Sequence, residues 1–144
     1  MTARHIPVAV RLIAIAALLT GAVHSPGVLA QATSAATQTS AAAGVTVKVN
    51  AVDLGVEAAT WSFSVVLDSH SQDLGDDLVK SASLVTDDGR QVKPTAWKGA
   101  APGGHHREGV LEFAAPQPLP RSVELKISRQ GEAQPRVFRW VFGA

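Results

Sequence analysis

From residue 45 onward the chain alternates apolar and polar positions in short runs. Val45, Val47 and Val49 alternate with Thr46, Lys48 and Asn50, and Trp61, Phe63, Val65 and Leu67 alternate with Ser62 and Ser64. A period of two is the mark of a strand with one buried face. The pattern recurs in Leu111 and Phe113, in Val123, Leu125 and Ile127, and in Phe138, Trp140 and Phe142. Two further strands are expected at about 79–86 and 91–97, separated by the turn Asp87-Asp88-Gly89-Arg90. Residues 79–86 are ambiguous: Asp76-Asp77 also suits the N-terminus of one helical turn ahead of a shorter strand, although a strand throughout is favoured. Pro94 implies an edge position or a bulge, and Pro116, Pro118 and Pro120 make a rigid connector outside any sheet.

Seven short antiparallel strands cannot cover their apolar faces in one layer, so they should split into two packed sheets. The expected fold is all-β: a seven-strand sandwich of immunoglobulin-like or fibronectin-like outline over residues 44–144, with a small open barrel as the alternative.

The first 43 residues differ in kind. Arg4 and Arg11 precede and flank an apolar run at 12–19, Gly21 and Pro26 follow, and Ala30-Gln31-Ala32 offers a cleavage site. Residues 1–32 therefore read as a secretory signal peptide, too short in its apolar part for a membrane span. Residues 33–43 are small, polar and of low complexity, and read as a flexible linker. The expected destination is the bacterial periplasm or the medium, with no membrane insertion after cleavage. Cysteine is absent, which removes disulfides, zinc fingers, iron–sulfur clusters and thiol nucleophiles. All 12 acidic residues but only 11 of the 13 Lys and Arg lie beyond residue 32, leaving a net charge of about −1. Such a near-neutral, mixed surface carries no footprint for nucleic acid.

Of five histidines, three remain beyond the leader: His70 in Asp68-Ser69-His70-Ser71, and His105 and His106 in Gly103-Gly104-His105-His106-Arg107. Successive antiparallel strands reverse direction, so the connections after the second, fourth and sixth strands should gather at one end. These are residues 68–77, 98–108 and 130–135, the last containing Glu132. His70, His105, His106 and Asp68 are thus candidate ligands for a divalent transition metal, copper or zinc, with the glycines letting the backbone bend. Asp73, Asp76 and Asp77 offer a weaker, oxygen-rich alternative for calcium. Asp68, Ser69 and His70 are triad residue types, but three contiguous residues cannot face one another as a triad must. Trp97, beside Lys98, is the one tryptophan placed for exposure at a loop mouth.

Leu67-Asp68-Ser69-His70-Ser71 together with the run from Gly103 to Phe113 resembles a small exported bacterial immunoglobulin-like domain known only from uncharacterised proteins. That resemblance spans most of residues 45–142 and implies no activity. His106 followed by Gly109, Leu111 and Phe113 is also similar to a segment of periplasmic copper-resistance carriers, Cys-free sandwiches that bind copper through His and Asp. The chain departs from them in three ways. It lacks a ligating His near the mature start, its sole Met is the initiator, and the segment is not in the final strand. The expected function is a monomeric, exported module that binds rather than catalyses, with a metal ion as its ligand. The alternative is a structural or adhesion-like module contacting another envelope protein without metal.

Overall fold

The computed structural model describes residues 36–142, so the signal-peptide reading lies outside the described residues. Two antiparallel sheets pack face to face. In chain order the elements are β1 (Gln38–Ala42), β2 (Val45–Asp53), β3 (Thr60–Ser69), α1 (Leu78–Ser81), β4 (Ala82–Thr86), β5 (Gln91–Val92), β6 (Pro94–Gly99), β7 (His106–Ala114), β8 (Ser122–Ile127) and β9 (Arg136–Val141). One sheet has the order β1-β2-β3-β7-β6 and the other β5-β4-β8-β9.

The alternating residues face inward as their period requires. Val45, Val47, Val49, Trp61, Phe63, Val65 and Leu67 of the first sheet meet Leu84, Val123, Leu125, Ile127, Phe138 and Trp140 of the second. Phe63 lies at the junction, edge-on to Phe113 at 5.7 Å and tilted against Trp140 at 4.8 Å. Such aromatic pairs add about 0.5–1.5 kcal/mol each beyond the area they bury.

The strand count among the described residues is nine rather than seven. The expected fourth strand divides at Lys93: β5 pairs with β4 in one sheet, and β6 pairs with β7 in the other. Pro94 opens β6, which is an edge strand with a register shift between Pro94 and Ala96. The expected third strand begins later than residue 79. Asp77 caps α1 by accepting from the N–H groups of Val79 and Lys80, and only then does β4 start. The helical turn precedes the strand without replacing it, so the alternation of chain direction survives. The stretch read as a linker contains β1, paired along its whole length with β2. β1 lacks an apolar row because it is held by its backbone ladder rather than by burial.

β1 begins opposite Val49 and β9 ends opposite Ser122, so the chain enters and leaves the sandwich at one end. The loops after β3, β6 and β8 gather at the other.

Trp97 is half-buried and belongs to the inner face, opposite Leu111. Its ring covers a facing pair of glycines, Gly99 and Gly109. A Cβ on Gly109 would stand 2.6 Å from the Gly99 Cα and 2.7 Å from Trp97 Cζ2. The indole N–H donates to the Ala100 carbonyl at 2.8 Å, and the Arg107 guanidinium sits 5.6 Å from the ring centre. The glycines are thus required by the close backbone of the paired strand together with the ring that lies over them. Gly109→Ala is expected to destabilise the domain by about 1–3 kcal/mol through overpacking, as measured by urea unfolding.

Candidate functional site

The loop end is assembled by backbone hydrogen bonds between segments far apart in sequence. Ser69 N–H donates to the His105 carbonyl (2.8 Å), Leu74 N–H to Gly104 (2.9 Å), and Gly103 N–H to Leu74 (3.0 Å). The Asp73 carboxylate accepts from Gly104 N–H at 2.7 Å, holding a turn in which Gly103 and Gly104 have φ of 120° and 73°. The glycines provide the bend that their sequence implied.

Within this frame the candidate ligands separate. His106 lies in β7, directly opposite Asp68 of β3, and its Nδ1 is 2.5 Å from Asp68 Oδ1. Its Nε2 is 3.7 Å from Glu108 Oε2, and Lys48 Nζ stands 3.9 Å from Asp68 Oδ2. This quartet lies on the outer face of the five-stranded sheet. His105, one residue earlier, donates through Nδ1 to the Gln72 carbonyl at 3.0 Å. His70 is exposed and enters none of these bonds. Asp68 and His106 are therefore brought together, whereas His70 and His105 are directed elsewhere. Among the described residues no group of three or more His, Asp or Glu is placed to hold a metal ion. The oxygen-rich set disperses as well: Asp73 holds the glycine turn, Asp76 receives Arg129, and Asp77 caps α1. Ser69 is buried and turned away from Asp68, its hydroxyl donating to Gly44 O and accepting from the N–H groups of Ser71 and Gln72.

The buried polar chemistry of this end belongs to three arginines that sequence reasoning passed over. Arg107, Arg129 and Arg136 are all buried. Each sits two residues beyond an inward-facing position: Arg107 before Gly109 and Leu111, Arg129 after Leu125 and Ile127, Arg136 before Phe138 and Trp140. The apolar core therefore ends in a layer of guanidinium groups. The signal for it is the parity of the three strands.

Arg136 forms a two-point contact with Glu132, at 2.8 Å and 2.6 Å, and donates to the carbonyls of Ser40 (2.7 Å), Ala42 (2.8 Å) and Val45 (3.0 Å). Arg129 binds Asp76 at 2.8 Å and Glu132 at 3.4 Å. Arg107 donates to the carbonyls of Leu74 (2.9 Å) and Asp76 (2.7 Å), while its Nε is buried without a partner. Burial lowers the Arg107 pKa, against the pull of Asp76, Asp77 and Asp73. Comparison with protein families, curated proteins and solved structures finds no match.

Two outcomes follow from the charges. The Arg136 contact, ahead of the Arg129 charge, holds the Glu132 carboxyl below its ordinary value of 4.5. Its stabilising contribution is complete above that value and is lost as pH falls through the lower folded pKa. Glu132→Ala, which leaves two buried guanidinium groups short of a partner, should cost about 3–5 kcal/mol in thermal or urea unfolding. Glu132→Gln should flatten the acid limb of the stability curve.

The hydrogen bond to Asp68 raises the His106 pKa above 6.5, with smaller support from the Asp68 and Glu108 charges. The pair's contribution is complete below the ordinary imidazole value and fades as pH rises through the higher folded one. An NMR titration of His106 should return toward the ordinary value in Asp68→Asn.

Proposed function

We propose that this chain is an exported β-sandwich module of immunoglobulin-like type that binds rather than catalyses, its partner another protein of the bacterial envelope. The strand order supports the immunoglobulin-like reading. With β1 set aside, β2-β3-β7-β6 facing β5-β4-β8-β9 corresponds to strands A, B, E, D facing C′, C, F, G. The leader at residues 1–32 supports export.

The observation that carries the reading is the inward turn of the loop end. Its arginines are spent on Asp76, Glu132 and loop carbonyls, and His105 holds a backbone oxygen. A loop end built this way serves as a plug. The domain then presents its outer sheet faces and its edges, which are surfaces suited to protein contact.

One observation favours the second reading, a bound copper or zinc ion: the His106 ring lies between the carboxylates of Asp68 and Glu108. The two readings separate in paired experiments. Photo-crosslinkers at Val137 on the β9 edge and at Val66 on the sheet face, in the exported full chain, should trap one discrete envelope protein from at least one position. Calorimetric titration with Cu²⁺ or Zn²⁺ should give no micromolar binding. Micromolar binding that His106→Ala abolishes would overturn the protein-contact reading in favour of a metal carrier; the lack of any crosslinked protein would overturn the protein-contact reading without supporting the metal one.

A further inference from the structure

The outer edge of β9 borders β1, the edge strand of the other sheet. The Phe142 N–H donates to Arg121 O at 2.9 Å, which fixes the ladder between this segment and β8. Antiparallel alternation then turns the backbone groups of Val137, Arg139 and Val141 away from β8. Two side chains bridge from β1 to β9. Arg136 reaches the carbonyls of Ser40 and Ala42 near the loop end. Farther along, the Gln38 amide accepts from Arg139 N–H at 2.9 Å and donates to Arg139 O at 2.9 Å.

That pair of bonds is the one a residue of an adjoining strand would make. A primary amide carries the same donor and acceptor as a peptide group, so Gln38 occupies one rung of a ladder whose other rungs, at Val137 and Val141, have no backbone partner among the described residues. It marks the register at which β9 accepts a further strand. Around it the outer face carries Val137 and Val141, 48% and 71% exposed, on either side of Arg139. The Arg139 side chain is 60% exposed, with Glu124 as its nearest acid at 3.7 Å.

We infer that β9 is an acceptor edge for an extended segment of a partner protein, with Gln38 as the placeholder that the segment displaces. This rests on the protein-contact reading above and names its mode, strand addition to a sheet edge. Charge selects the occupant. A second copy of this chain pairing antiparallel about Arg139 would set two guanidinium groups directly opposite each other, which is unfavourable. An acidic residue opposite Arg139, with apolar residues two positions to either side against Val137 and Val141, satisfies the same face. The alternate positions turn toward the β1 side and suit small polar residues. The occupant is thus an extended acidic-apolar strand.

The test uses the full exported chain and a blocked peptide with valines two residues either side of a central glutamate, threonines between, and a lysine counterpart. Amide shifts should appear at Val137, Arg139 and Val141 with the glutamate peptide and be weaker with the lysine one. Gln38→Ala frees the edge and should tighten binding by about threefold or more, because the competent fraction rises. Arg139→Glu should reverse the preference between the peptides. Arg139→Pro removes the outward N–H at a position where an edge strand tolerates proline, and should abolish binding while the melting profile stays cooperative. The inference is overturned if shifts map to the other sheet, if both peptides bind equally, or if no binding is detected. Dimerisation of Gln38→Ala through β9 would also overturn it by making the occupant a second copy. A partner crosslinked only from Val66 would remove strand addition and leave the protein-contact reading standing.

Discussion

The fold depends on how its loop end is closed. A two-sheet sandwich of this size leaves an apolar mouth where strands end, and the crossing loops bring carbonyl groups into it. Buried carbonyls need donors. Arg107 and Arg136 supply them, their planar heads binding carbonyls of Leu74, Asp76, Ser40, Ala42 and Val45, while Arg129 joins the carboxylates of Asp76 and Glu132. Asp76 and Glu132 balance the charge. Lysine cannot substitute, since one ammonium lacks the fork that reaches a carboxylate and several carbonyls at once. The same constraint fixes the path of β1, whose Ser40 and Ala42 carbonyls are tied to Arg136.

Much of the fold is legible in the residue pattern alone. The rows at 45–49, 61–67, 123–127 and 138–142 mark the inner faces, and the alternation of strand direction brings the loops after β3, β6 and β8 together. The remainder is hidden for identifiable reasons. β1 is Gln-Thr-Ser-Ala-Ala, with no apolar row, because backbone pairing and two side chains hold it. α1 turns on a single capping carboxylate at Asp77, a local effect that competes evenly with strand propensity. The division at Lys93 follows from a proline that suits either a bulge or a change of sheet. The arginine layer is visible as parity, yet charged residues at strand ends are ordinarily read as solvent-facing.

The histidines show why proximity in sequence misleads. His106 and Arg107 are neighbours in a strand, so one projects to the outer face and the other into the core. His105 precedes the strand and is spent on loop backbone. Adjacent ligand-type residues therefore diverge, while His106 and Asp68, 38 positions apart, form a close pair. A strand register gathers residues by rung and face, and the Asp68–His106 pair is a product of that register.

Gln38 and Val141 stand at the same end of the sandwich, on neighbouring edges. Tension carried along the chain would thus act across the boundary between β1 and β9 instead of along the strands. The ladders would not be loaded in shear, with every rung resisting at once. The Gln38 bonds would yield first, and β1 would then peel from β2 one rung at a time. The arginine plug, where Arg136 grips Ser40 and Ala42, lies at the far end from that load and would be the last hold on β1.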